Sequence, residues 1–460
     1  MSFLGTRSGQ GEKKSGGIQG FCHNGSAHKP KGAAAKTNLL KRQMDCICKE
    51  YLAGIFPAVG KCARGALETL FGGIVAGKST LVTDLARPLR RDSSAKEAKR
   101  ANERVSGWLG RWDFVSALNP WLLGKAREEA SDEATFALDF SDISKEFGGE
   151  GMEGMAKGWD GSRGVTAMGH DFVCVSLVGG GRREARTVYA RLAKGRKSKG
   201  ALHAEALSAV MEATGGRGWT AEDRGMDAAE HIVAVKRKGW KAVIRVKEMD
   251  RDVFGDGLPI DRSLAKAPFV PATLRTHGGT RNTQLRWRPG AVMWCDKPHS
   301  KDAKAETARV LVVESRFDGK SIWLYAVCPD AALDGPGSQE RIARRAAQAY
   351  HDRWQIETSF QTVKQEFGLE KARVRTFKRL ENLFALCNLA YVFATDYLRR
   401  TPGFRKVLQL LSDNLETVST KTHALLAGIR ALVGVPKVRF ISGRPRKVHP
   451  PDPLQMLLAY

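Results

Sequence analysis

The sequence predicts an α/β protein: a mixed sheet flanked by helices, interrupted by a β-rich insertion and preceded by an all-α segment. Three observations carry this expectation. From Phe136 onward, apolar runs of strand length alternate with helical stretches. Two more strand-like runs, 308–313 and 322–327, close around Asp318 and Gly319 as a hairpin. Residues 338–368 then read as one long helix, with neither Pro nor Gly between Gln339 and Phe367.

In chain order, residues 1–43 are polar and rich in Gly and Lys, and read as a disordered basic tail; an early start, with Met44 as the true beginning, stays open. Residues 44–130 are helical in pattern and carry a basic cluster, Arg90, Arg91, Lys96, Lys99, Arg100 and Arg104. Within them Gly72, Gly77, Lys78 and Ser79 fit a P-loop letter for letter. A P-loop needs a buried strand ahead of its glycines, whereas the preceding segment reads as helix. A turn between two helices, capped by Ser79 or Thr80, is the expectation there. The span 131–250 begins with the alternating strand FALDFSD, ending in acidic residues, followed by a Gly-rich stretch read as turns. Two strands, a helix, a strand at 219–222, a helix and a last strand complete it. Three strands, helix, strand, helix is the order of an RNase H-like core, whose parallel strands carry carboxylates at neighbouring ends. Residues 251–335 form the β-rich insertion, 336–400 the long helix and the end of the core, and 401–460 a C-terminal helical dimerisation region with a basic tail containing Gly443 to Lys447.

Composition bounds the partners. The chain has 460 residues, with 75 Lys and Arg against 49 Asp and Glu, a formal charge of +26. Such an excess points to polyanion binding. No apolar run approaches the ~20 residues of a spanning helix, and no leader-like apolar region precedes Met44. The eight Cys are scattered without a C-x-x-C or a Cys/His cluster, as expected of reduced thiols in a cytosol.

The long helix organises the rest. Tyr350, Arg353, Glu357 and Lys364 stand at offsets 0, 3, 7 and 14, within roughly a 60° arc at 100° per residue. Ile356, Phe360, Val363 and Phe367 form a second stripe, read as the core-facing one. A solvated, salt-bridged face would show the same offsets. The context separates the two readings: Tyr350-x2-Arg353-x3-Glu357-x6-Lys364, inside AYHDRWQIETSFQTVKQEFGLEKARVRT, resembles the YREK signature of the DDE-class insertion-sequence transposases, family four. Asp223-Arg224-Gly225 resembles that family's strand-end motif. Around Asp139 the sequence shows D-F-S-D where the family has D-x-T, so Asp142 competes with Asp139.

The resemblance implies a transposase that binds the terminal inverted repeats of its element, cuts DNA and joins 3′ ends to target DNA. It implies a helix-turn-helix-like DNA-binding role for 44–130, and a homodimer that holds two ends. The chemistry needs charge neutralisation at the attacked phosphate, an activated nucleophile and a stabilised leaving oxygen. Two Mg²⁺ ions (or Mn²⁺ in their place) supply all three when carboxylates hold them. The expected ligands are Asp139, Asp223 and Glu357, with Asp142, Asp227 and Glu366 as their rivals. The structural alternatives are a turn-forming Asp139, a helix-capping Asp227 and a surface pair at Glu357. Tyr350, Arg353 and Lys364 would grip DNA phosphates, and Trp294 or Trp323 could stack on a flipped base. A bacterial, nucleoid-associated cytoplasmic protein is expected. An RNase H-like nuclease without strand transfer, a catalytically inactive DNA-binding repressor and an ATP-dependent regulator are the competing readings.

Overall fold

In the computed structural model, the structure describes residues 42, 44–400 and 429, except 78, 146–150, 161–163, 183, 196–198, 277–278 and 297–303. The tail 1–41, the 401–460 region apart from Ile429, and the Gly443 to Lys447 motif lie outside the described residues.

The centre of the fold is a run of strands buried on both faces. Strand β1 (Thr135–Ser144) opens with four buried residues, and β3 (Val165–Val178) closes with seven. Such continuous apolar runs suit strands covered by helices on each side. Around them lie β2 (Ala156–Asp160), β4 (Arg186–Leu192), β5 (Trp219–Glu222), β6 (Ala242–Arg245), β7 (Val270–Thr276), β8 (Gly279–Cys295), β9 (Ala305–Phe317) and β10 (Lys320–Val327). They join one ten-stranded sheet in the order β2-β3-β1-β5-β6-β10-β9-β8-β7, with β4 also on β3. β1, β5 and β6 are parallel neighbours, and the other pairings are antiparallel.

This mixed sheet flanked by helices fits the RNase H-like core that the resemblance implies, and the order of strands and helices from β1 to β6 follows the sequence reading. One strand went unread: β2 lies in the Gly-rich stretch taken as turns, where five residues pair with the start of β3. Turn composition hides a short edge strand because its pairing partner lies later in the chain. The strands of 270–327 continue the same sheet, since β10 pairs with β6. The hairpin between β9 and β10 turns at Asp318 and Gly319, both with positive φ, as a two-residue turn requires.

Alternation sorts side chains onto two faces. Phe136, Leu138, Val173, Val175, Ile244, Val312 and Tyr325 pack with the helices Lys199–Ala213 and Ala229–Arg237. On the other face, Ala221, Val243, Leu311, Val313 and Leu324 pack with the helix Pro336–Arg353. There too Ala137, Phe172 and Cys174 share a core with Ile356, Phe360, Val363 and Phe367, with the helix Phe377–Val392, and with the N-terminal helices Lys61–Gly77, Ala95–Arg111 and Phe114–Glu129. The predicted apolar stripe of the long helix is thus the core-facing one. Leu383, Leu386, Leu389, Ala390 and Phe393 are fully buried.

Two expectations need correction. The residues of the P-loop pattern from Gly72 to Gly77 lie inside the helix Lys61–Gly77, with no strand ahead of them. The next helix, Val82–Leu85, has no side-chain cap: Ser79 Oγ donates to Asp84, and Thr80 Oγ1 donates to the Gly368 carbonyl at 2.7 Å. The buried Gly368 carbonyl, 288 residues away, outcompetes the local cap. Second, 338–368 is not one uninterrupted α-helix. It runs as Pro336–Arg353, a turn at Trp354, Gln355–Gln361 and a π-helical segment Thr362–Glu366, ending at Gly368 in the left-handed region. The π segment closes through Phe367 N to Thr362 O at 3.1 Å, a bond that spans one residue more than an α-helix's.

Candidate active site

Register brings the first two acids together. On the parallel pair β1 and β5, Leu138 stands opposite Glu222, so Asp139 and Asp223 are the next residues of adjacent strands, about 4.8 Å apart in backbone. Their parity matches Ala137 and Ala221, which face the 336–361 helices. From those helices come Tyr350, Arg353 and Glu357. Tyr350 Oη donates to Asp223 Oδ1 at 3.1 Å. Arg353 Nη1 donates to Asp139 Oδ2 at 2.5 Å, and its Nη2 reaches Glu357 Oε1 at 3.4 Å. Arg245, at the end of β6, adds a second cation 3.8 Å from Asp223.

The helix is anchored over the strand ends by packing and polar ties. Arg345 donates to the carbonyls of Glu133 and Ala134 and to Thr135 Oγ1, pinning the helix to the start of β1. At the other end of the turn, Gly179 N donates to Gln355 Oε1 at 3.2 Å. Gly179 has φ 70°, and a Cβ there would collide with the Asp352 carboxylate, so only glycine permits this approach.

Electrostatics follow from burial and crowding. Burial raises the Asp139 carboxyl above its usual range, Arg353 opposes this, and the Asp223 charge adds to it. Glu357 is also raised, first by burial and then by the Asp139 and Asp223 charges, with Arg353 again opposing. Burial resists the Arg353 charge, yet Asp139, Tyr350, Asp223 and Glu357 together hold it above the ordinary guanidinium value. Three carboxylates against two arginines, Arg353 and Arg245, leave an excess of negative charge directed at one spot. Asp223 and Glu357 stay partly exposed, with side-chain exposures of 36% and 43%.

The rivals part company. Asp227 is buried and accepts from the backbone N–H of Lys247 and Glu248 and from Arg251, holding the loop after β6; it does not cap the Ala229–Arg237 helix. Asp142 accepts from Ser144 at 2.6 Å and pairs with Lys364 at 3.5 Å. Lys364 therefore leaves the Tyr350–Glu357 group and also meets Glu370 at 3.5 Å. Its seven-residue offset from Glu357, about 10 Å along the axis, carries it past the acids. Glu366 is two residues further still, in the π segment. Trp294 and Trp323 pack against the core on the opposite face of the sheet, so they are not brought to the acids. Their parity along β8 and β10 decides this, a fact that needs the sheet register. The sequence reading missed Arg245, whose only signal was its place at a strand end.

All three acids lie within a family match: residues 136–393, more than half the chain, match the family model described as Transposase DDE domain. The chain belongs to the transposase DDE-domain family. No curated protein matches it. Transposases of this family act on DNA and normally use divalent metal ions. Carboxylate oxygens are the ligand type a hard divalent cation takes, and Asp223 and Glu357 are open enough to solvent to be reached. Among the described residues of the transposase, no helix is long and apolar enough to cross a membrane.

Proposed function

We propose that this transposase is of the insertion-sequence YREK type, family four, and that it binds terminal inverted repeats, cleaves DNA and transfers the 3′ ends to target DNA. Arg353 joining Asp139 to Glu357, with Tyr350 of the same helix donating to Asp223, supports the reading most directly. Held by these three carboxylates, two Mg²⁺ ions (or Mn²⁺) would supply charge neutralisation at the phosphate and a deprotonated nucleophile. The protein's own groups do the rest. Asp139 is fixed by Arg353 and by the Phe140 N–H at 2.8 Å, so the carboxylate is oriented before DNA arrives. Arg353 is neutralised by two acids in the free protein. Once their charge is taken up elsewhere, its guanidinium is released to bind a phosphate oxygen bidentately. Tyr350 orients Asp223 and offers its hydroxyl to the transferred-strand backbone. Lys364, beside Asp142, would hold the backbone a helical turn or two away from the cut.

In this proposal, residues 44–130 are the DNA-binding part. Lys96, Lys99, Arg100 and Arg104 are carried on the helix Ala95–Arg111, whose start is fixed by Ser94 accepting from the Glu97 N–H. A homodimer holds the two ends, each copy supplying one acid site. The test is Glu357→Gln in the full chain. Mg²⁺-dependent cleavage of a DNA carrying the element's end is expected to fall at least a thousandfold, while binding of that end stays within about threefold. Cleavage at the wild-type rate would sink the assignment.

A further inference from the structure

Directly behind Asp223, on the opposite face of β5, lies a second cluster of ligand-type side chains. Glu222 is fully buried. Its Oε2 stands 2.9 Å from His203 Nε2 and 2.7 Å from His231 Nε2, and its Oε1 accepts from Thr220 Oγ1 at 2.7 Å. His203 comes from the helix Lys199–Ala213 and His231 from the helix Ala229–Arg237. Their rings meet edge to face with centroids 4.4 Å apart, and Phe140 covers His203. Three donor atoms, one from each residue, lie within 4.8 Å of one another.

Each feature suits a soft-to-borderline cation. Two imidazole nitrogens converge on one carboxylate oxygen, an arrangement in which three donors already point at one another. In a tetrahedral site, bonds of about 2.0–2.2 Å place neighbouring donors about 3.3–3.6 Å apart, so the contacts of 2.9 and 2.7 Å would open by roughly half to one ångström as the ion enters. The Thr220 hydroxyl orients the carboxylate from behind, as the outer partners of metal ligands do. Burial opposes charge on Glu222, yet the two histidines hold its carboxyl well below the usual range. Against burial, Glu222 in turn holds the His231 imidazole above its ordinary value, so an ion bound there would displace a proton from that nitrogen. This donor set of two nitrogens and one oxygen differs in kind from the all-oxygen set on the other face of the strand, and Zn²⁺ prefers it where Mg²⁺ does not.

We propose that His203, Glu222 and His231 form a metal centre that takes one Zn²⁺-class ion per chain and clamps the end of β5 to both helices of that face. The proposal stands on these three side chains and not on the transposition chemistry.

The test uses the full-length chain carrying Glu357→Gln, so that the acid site competes less for metal. After loading with Zn²⁺ and dialysis against excess Mg²⁺, elemental analysis is expected to find one equivalent of zinc. Co²⁺ in its place should give visible absorption bands of a nitrogen-ligated site. His231→Ala should lower the affinity at least tenfold, and His231→Cys, which restores a ligand, should recover most of it. Zinc below a tenth of an equivalent, with no Co²⁺ bands, would show a hydrogen-bonded cluster only and overturn the proposal. So would zinc retained undiminished by His231→Ala. The measurement on the Glu357→Gln chain decides the matter even if His231→Ala fails to fold.

Discussion

Asp352 and Arg353 are neighbours on one helical turn with opposite fates. Arg353 finds two carboxylates, whereas Asp352 finds mostly uncharged surroundings: it accepts from Gln348 Nε2 at 3.0 Å and sits against Gly179. Burial pushes its carboxyl up to about 6, only partly offset by Gln348 and the charge of Arg345. The sign of the consequence is definite. A carboxyl raised in the folded state favours folding in its protonated form. Its contribution is intact below about 4 and is lost as pH rises through about 6. Asp352→Asn keeps the shape without the charge. Relative to the wild type, this variant should gain up to about 3 kcal/mol of stability between about pH 4 and pH 7, since a tenfold change in proton affinity is worth about 1.4 kcal/mol. Urea unfolding at a series of pH values measures it, and parallel profiles for the two proteins would refute the role given to Asp352.

At the scale of elements, the acid site depends on how the end of the 336–366 helix is tied back to β1. Lys145 follows β1 directly and is buried, and its Nζ donates to the carbonyls of Leu369, Glu370 and Ala372 at 2.8, 2.9 and 3.0 Å. Burial draws its pKa down to about 8, against the pull of Glu370. Lys145→Met would keep the apolar stem and strand three buried acceptors. The expected loss is about 2–4 kcal/mol, read as a lower urea midpoint with unchanged slope; a change below about 0.5 kcal/mol would mean that the carbonyls find other partners. Lys145 shows why only part of this site can be read from the chain. Tyr350, Arg353 and Glu357 are legible because helical periodicity alone places them on one face. Asp139 is legible in the alternating strand FALDFSD, although β1 runs on past it to Ser144, and Asp223 is legible in the strand-end motif Asp223-Arg224-Gly225. The choice of Asp139 over Asp142 beside Arg353 is a matter of register and parity, and so is the placement of Trp294 and Trp323 on the far face. The pairing of Lys364 with Asp142 joins residues more than 200 apart, and the meeting of His203, Glu222 and His231 depends on how two helices pack on β5, neither of which local spacing encodes.

At the scale of the molecule, the N-terminal helices and the family core are not separately packed. Leu67, Leu70, Phe71, Val105 and Leu109 share one buried core with Phe384, Leu386, Ala390 and Phe393. Polar ties cross the same seam: Asn382 donates to the carbonyls of Leu109 and Trp112 at 2.8 Å and accepts from the Phe114 N–H at 2.9 Å, all buried or nearly so. Tyr51 packs against Phe71, Trp121, Phe393 and Tyr397 at centroid distances of 5.0 to 5.8 Å. The helix Phe377–Val392 that seals the acid-bearing helix against the sheet is thus itself covered by residues 44–130. A fragment limited to 131–400 would expose that apolar face and leave Asn382 without its partners. Each lost Leu- or Phe-sized contact costs about 1.5–3 kcal/mol, and several are lost at once, which exceeds the stability of an ordinary domain. The fragment is therefore expected to be aggregated or to lack a cooperative thermal transition, whereas 44–400 should melt in one step. Calorimetry on both distinguishes the outcomes, and a fragment 131–400 that melts cooperatively near the longer chain's temperature would mean that the shared core contributes little.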